Sequence, residues 1–176
     1  SQLVRSFTSA GSPEKALGRP RIDSQELADG VYLLGGTPSD AVFTLAVELE
    51  SGVVVVEPGS FDLKGEAIVE WVEENMPGKS ITHVVVSHHH SDHSGGTRPY
   101  IAAGASAVVH ETAIEFYEGL LGRTNSTIMP DALDRNPAKA NIIAVSADEP
   151  YVIEDAARPV TIYPVVSGHT TDMIIV

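Results

Sequence analysis

The feature that most constrains this chain is an apolar run that ends directly in a dense group of imidazoles, "VVVSHHHSDHSGG" at residues 84–96. Four histidines and one aspartate lie within six positions of each other there. A short apolar run bounded by polar residues and glycines is typical of a buried strand that ends in a loop. The chain must therefore fold so that a buried strand delivers these polar side chains to one edge of a sheet.

The alternation of side chains along a strand separates the three successive histidines. Alternate positions point the same way, so His88 and His90 can converge on one metal ion while His89 points away. After the turn, Asp92 and His93 can converge on a second position close by. Neutral imidazoles and a carboxylate suit zinc, and manganese or iron are alternatives. The loop thus offers ligands for two metal ions.

A histidine run also has simpler interpretations, because solvated surface tracts and purification tags share this composition. This run is internal and follows a buried strand, which favours a built site. The chain has no cysteine, so histidines and carboxylates must supply every ligand.

Composition limits the class of protein and its partners. A chain of 176 residues with 43% hydrophobic and 20% charged residues is typical of one globular domain. The net charge of -13 and only 11 lysines and arginines argue against nucleic acid or an acidic membrane as partner, and favour a small-molecule substrate. No apolar run approaches the roughly 18 residues of a membrane span. We expect a soluble protein, with the bacterial periplasm and the cytoplasm both open as its compartment.

The pattern predicts an N-terminal arm at residues 1–30 and a domain at residues 31–176, in which strands and helices alternate as in an α/β fold. The predicted strands are "VYLL", "AVFTLAVELE", "VVVVE", "ITHVVVS" and "ASAVVH", followed by a hairpin of "PYVIE" and "RPVTIYPVV". The predicted helices contain Leu63, Ala67, Ile68, Trp71 and Val72, then residues 100–103, then Ala113, Ile114, Tyr117, Leu120 and Leu121. Residues 122–141 carry prolines and little pattern, which is typical of a long functional loop or lid.

The pattern H-x-H-x-D-H at residues 88–93 resembles the signature of the metallo-β-lactamase fold superfamily. The segment "VVVVEPGS" at residues 53–60 resembles the family's strand that ends in an acidic residue and a glycine. The segment "GHTTDMIIV" at residues 168–176 resembles the one that carries a further metal-ligating histidine. The resemblance implies an αββα sandwich, of which this chain would hold the first half and the start of the second.

The resemblance also implies how the ligands divide between two zinc ions. His88, His90 and His169 would hold the first ion, and Asp92 and His93 would contribute to the second. Asp92 would in addition orient the attacking water.

Several other polar residues have alternative interpretations. Glu57, at a strand end, could hydrogen-bond a ligand histidine from outside the ligand set, or could be a surface carboxylate. Ser87 could cap the loop. We interpret His83 and His110 as structural or surface histidines, and we expect Asp172 to be exposed.

The chain departs from the family at its C-terminal end. Family members normally have a second half that supplies a bridging aspartate and a final histidine to the second metal ion, and residues 1–176 contain neither. Half of a sandwich would leave an apolar sheet face in water. We therefore expect the remainder of the fold on another chain or a missing segment, with an oligomer as a further possibility.

The function that these residues predict is hydrolysis by a metal-activated water acting on an ester, thioester, lactam or lactone. A nucleophile elbow of the type G-x-S-x-G and a phosphate loop of the type G-x-x-x-x-G-K are absent from the sequence. Two alternatives remain, a metal-binding module without catalysis and a di-iron redox protein on the same fold. The histidine at position 90 disfavours the di-iron protein, because those members resemble H-x-E-x-D.

Overall fold

The computed structural model describes residues 20–35, 42–124 and 130–176. Its larger sheet has seven strands that lie side by side in chain order. They are β1 (Asp23–Ala28), β2 (Val31–Gly35), β3 (Thr44–Leu49), β4 (Gly52–Val56), β5 (Ile81–Val85), β6 (Ser106–His110) and β7 (Ile142–Val145). A smaller antiparallel sheet has three strands, β8 (Tyr151–Ile153), β9 (Val160–Pro164) and β10 (Ile174–Ile175), with β9 in the middle.

Along the chain, the helices connect successive strands of the larger sheet. They are α1 (Asp62–Asn75), α2 (Ser91–Ser94), α3 (Thr97–Ala102), α4 (Ile114–Gly122) and α5 (Ala132–Arg135), with a 3₁₀ turn at Glu111–Ala113 before α4. The longest of these, α1, has 14 residues. Within the described parts of the chain, every helix falls short of the length and hydropathy that crossing a membrane requires.

The central strands of the larger sheet are buried on both faces, which explains the unbroken valine run of β4. Val53 and Val55 belong to a core shared with α1, α3 and α4, whereas Val54 belongs to a second core shared with β8, β9 and β10. Side chains alternate across a strand, so both faces of β4 must be apolar. The described residues thus form three layers, with helices, the larger sheet and the smaller sheet in that order.

The direction of the strands changes at β4 and determines where the site lies. Strands β1 to β4 pair antiparallel, and β4 to β7 pair parallel. The carboxyl ends of β4, β5 and β6 therefore meet at one edge of the sheet, where ligand sites of parallel sheets usually form. Glu57 follows β4 at this edge, His88 follows β5, and His110 ends β6.

The predicted α/β architecture is confirmed, as are the helix at α1, the helix at α4 and the hairpin of β8 and β9. Two strands were missed. β1 lies within the predicted arm at residues 1–30, where its six residues are all exposed at the sheet edge; residues 1–19 of that arm lie outside the described residues. β7 follows the predicted loop at residues 122–141. That loop contains α5, and its residues 125–129 also lie outside the described residues.

Candidate metal centre

Three imidazoles from two separate segments meet at this edge of the sheet. His88 and His90 follow β5, and His169 lies in the loop between β9 and β10. The Nε2 atoms of His88 and His169 are 3.2 Å apart, and one ligand nitrogen from each of the three residues lies within 4.8 Å of the others. Two nitrogen ligands about 2.1 Å from a tetrahedral zinc ion would lie roughly 3.4 Å apart. The three histidines can therefore hold a metal ion.

His88 is prepared for ligation by its neighbours. Its ring is buried, and its Nδ1 lies 2.9 Å from Ser87 Oγ. Because Nδ1 is engaged by the hydroxyl, Nε2 is the nitrogen directed at the other imidazoles, as is usual for metal-bound histidines. Burial, together with the nearby rings of His93, His90 and His169, lowers the pKa of His88 to about 4. His88 is therefore neutral at pH 7, which is the form that binds metal.

Asp92 and His93 lie beside the three histidines in the first turn of α2. The ring centroids of His93 and His88 are 4.1 Å apart, and His93 Nε2 lies 3.5 Å from Asp92 Oδ2. The Asp92 side chain is 62% exposed. Among the described residues, His88, His90 and His169 are the one group of three or more residues with metal-binding geometry, and Asp92 and His93 form a neighbouring pair.

Glu57 links the end of β4 to this pair. Its Oε2 lies 2.7 Å from His93 Nδ1, and its backbone has a φ of 65°, in the left-handed region that non-glycine residues rarely adopt. Two hydrogen bonds hold this backbone, from Glu57 N to Val85 O at 2.9 Å and from Thr44 Oγ1 to Glu57 O at 2.6 Å. The fold thus fixes the carboxylate against His93.

Glycines allow the turn that carries Asp92 and His93 to approach the loop after Glu57. The amide of Gly96 donates to Gly59 O at 2.8 Å. A Cβ added at Gly95 would lie 2.2 Å from Ser60 O, and one at Gly96 would lie 2.5 Å from Pro58 O. Only glycine permits this distance between the two loops.

His89 and Asp172 form a second contact near the three histidines. His89 is not part of their group; its Nδ1 lies 2.9 Å from Asp172 Oδ1, and its side chain is 44% exposed. The expectation that Asp172 is exposed was wrong, because its side chain is only 4% exposed. Burial alone would raise the pKa of Asp172, but hydrogen bonds from Thr170 and His89 outweigh burial and lower it. Asp172 is therefore a buried carboxylate anion. The short spacing of Thr170 and Asp172 is the only local signal that could have indicated this turn.

The remaining histidines have structural surroundings. His110 is buried, and its Nδ1 accepts a hydrogen bond from Thr112 N at 3.2 Å, which caps the 3₁₀ turn. His83 lies within β5 with its Nδ1 3.0 Å from Thr82 Oγ1, and burial lowers its pKa.

Comparisons with known proteins show sequences and folds that are similar to this chain. The sequence model of the Metallo-beta-lactamase superfamily matches residues 38–176. Hydroxyacylglutathione hydrolase of Idiomarina loihiensis is 27% identical over 79 residues, which is 45% of this chain and 29% of that protein. A metallo-beta-lactamase from Pontibacter korlensis has a TM-score of 0.63 at 17% identity, and one from Hirschia baltica has 0.59 at 21%. Each alignment covers 88% of this chain and 65% of the other. The chain therefore spans less than two thirds of the length of each of these relatives.

Proposed function

The chain belongs to the metallo-beta-lactamase superfamily, a family of metal-dependent hydrolases, and we propose that it hydrolyses a small-molecule ester, thioester, lactam or lactone. The observation that carries this proposal is the convergence of His88, His90 and His169, with a 3.2 Å separation between the Nε2 atoms of the first and the last. The thioester has additional support from the curated relative, which is named a hydroxyacylglutathione hydrolase.

In this proposal, the three histidines hold a first zinc ion, while Asp92 and His93 contribute to a second. Zinc, when bound, lowers the pKa of a coordinated water and polarises the carbonyl oxygen of the substrate, which makes the carbonyl carbon easier to attack. Ser87 fixes the orientation of the His88 ring, and Glu57 fixes the orientation of the His93 ring. Asp92, with its exposed carboxylate, orients the attacking water and accepts its proton.

The second ion needs ligands beyond this pair, and we propose that the remainder of the fold supplies them. Exposed apolar side chains on the outer face of the smaller sheet favour a location for this further protein against that face. Tyr163 is 50% exposed and Ile175 is 53% exposed. The net charge of -13 supports a small molecule rather than nucleic acid as the substrate.

The proposal is tested by metal content and turnover on protein purified without a tag or chelator. Zinc per chain would be measured by inductively coupled plasma mass spectrometry, and hydrolysis would be followed with a chromogenic thioester and a chromogenic lactam. We expect at least one equivalent of zinc and zinc-dependent turnover. His88→Ala or His90→Ala should remove most of the metal and the activity, whereas His89→Ala should leave both nearly unchanged.

Two results would contradict the proposal. Wild-type protein without metal would exclude the metal centre. Full metal occupancy without turnover would instead support the metal-binding module without catalysis.

A further inference from the structure

The loop that carries His169 is held at its base by one backbone hydrogen bond within the loop and by one to the segment that carries His88. Val165 N donates to Met173 O at 2.9 Å, and Ile174 N donates to Ser87 O at 2.9 Å. These bonds fix the ends of the loop, but none of them lies at the histidine itself. A further contact is needed to set the position of the loop tip relative to His88 and His90.

Asp172 makes that contact. Its Oδ2 accepts a hydrogen bond from His89 N at 2.8 Å, and its Oδ1 is bonded to the His89 ring at 2.9 Å and to the hydroxyl of Thr170. Three donors therefore converge on a carboxylate that is nearly completely buried. A charged acceptor bonded to several donors is held more strongly than a neutral one.

The partners of Asp172 flank all three imidazoles of the group. The amide of His89 belongs to the backbone between His88 and His90, so holding it fixes the segment that carries both. Thr170 is the residue next to His169. One carboxylate thus joins the two segments, which are about 80 residues apart in the sequence.

We propose that Asp172 is a positioning residue that holds the His169 loop in register with the His88–His90 segment, so that the three imidazoles are arranged for metal before it binds. This inference rests on the proposed metal centre. It assigns no contact with metal or substrate to Asp172. The outer hydrogen-bond partners of metal ligands typically change metal affinity by about 10- to 100-fold when removed.

The test measures zinc affinity by competition with a chromophoric chelator, a readout that does not depend on activity. We expect Asp172→Ala to weaken zinc binding about 10- to 100-fold. In a His169→Ala background the same change should have a smaller effect than in the wild type, because the register between the His169 loop and the His88–His90 segment no longer affects the ligand set. His89→Ala, which keeps the backbone amide, should weaken binding far less than Asp172→Ala.

Asp155→Ala is the matched control. Asp155, in the loop between β8 and β9, also accepts backbone hydrogen bonds, from Glu50 at 2.7 Å, Arg158 at 3.0 Å and Ala157 at 3.1 Å. Its removal should leave zinc affinity within about twofold of the wild type, which is close to experimental scatter. Asp172→Asn keeps the shape of the side chain and decides the question if Asp172→Ala does not fold; we expect weaker zinc binding, because an amide group cannot accept from all three donors.

The outcomes separate this inference from the proposed function. Wild-type protein that binds no zinc would overturn both. Wild-type zinc binding that Asp172→Ala and Asp172→Asn leave unchanged would overturn the inference alone. An equal loss with and without His169, or an equal loss in Asp155→Ala, would also overturn it, because Asp172 would then act on the fold in general.

Discussion

Substituting Gly95 by alanine tests how closely the turn with Asp92 and His93 must pack on the loop after Glu57. Gly95 has φ -62° and ψ -29°, which is ordinary right-handed helical backbone. Helix propensity alone would favour alanine over glycine there by up to about 1 kcal/mol. The backbone conformation therefore predicts stabilisation, and only packing can reverse the sign.

Packing reverses the sign of this change in stability. The new Cβ would lie 2.2 Å from Ser60 O and 2.6 Å from Ser91 O, whereas carbon and oxygen atoms that are not bonded rarely approach closer than about 3.3 Å. The turn and the loop must therefore separate by about 1 Å. Overpacking of this kind costs about 1–3 kcal/mol. The same shift would lengthen the 2.7 Å contact between Glu57 and His93.

Urea denaturation of the metal-free protein measures the change in the free energy of unfolding, with an unchanged m-value as the check on two-state behaviour. Gly119→Ala is the control, because Gly119 lies in α4 and a Cβ there would meet no atom within 4 Å. We expect the control to gain about 0.5–1 kcal/mol and Gly95→Ala to lose about 1–3 kcal/mol. A Gly95→Ala protein as stable as the wild type would refute the packing argument.

Two further predictions concern the electrostatics of the interior. Arg98 is 2% exposed and binds Asp131 at 2.5 Å and Asp134 at 3.1 Å, so Arg98→Met should lose about 3–5 kcal/mol in urea denaturation; Arg21→Met, at an ion pair with Asp23 whose side chains are 91% and 73% exposed, should lose less than about 1 kcal/mol, and similar losses would contradict this. Burial, with the charge of Asp131, raises the pKa of Asp62 from 3.8 to about 6. The folded state then holds a proton that the unfolded state releases, so stability falls as pH rises from about 4 to 6. Discounted for partial exposure, Asp62→Asn should gain roughly 1–2 kcal/mol relative to the wild type between pH 4 and 7; a constant difference would contradict the shift.

Sequence patterns could predict those strands and helices whose apolar residues repeat with the period of the element itself. The valines of β4 and the apolar face of α1 repeat with the period of their element, so pattern and burial agree there. β1 lacks this signal, since its sequence DSQELA is entirely exposed at an edge. β7 has only four residues, and a run that short does not separate a strand from a loop.

The candidate metal centre likewise has features that the sequence could predict and one that it could not. The convergence of His88 and His90 follows from alternation along a single segment, and the family resemblance suggested His169. The burial of Asp172 could not be predicted, because its partner His89 lies 83 positions earlier. Contacts between distant segments depend on the docking of β10 against the larger sheet, which no local pattern reports.

The left-handed backbone of Glu57 has an evolutionary consequence. A glycine would adopt its φ of 65° freely, whereas a residue with a Cβ is destabilised there by about 1–2 kcal/mol. Selection for thermal robustness alone would therefore favour glycine at this position, and with it the loss of the carboxylate beside His93. Screens that reward stability without activity would drift toward that change, so a thermostabilised variant of this protein should be checked at position 57 before it is used.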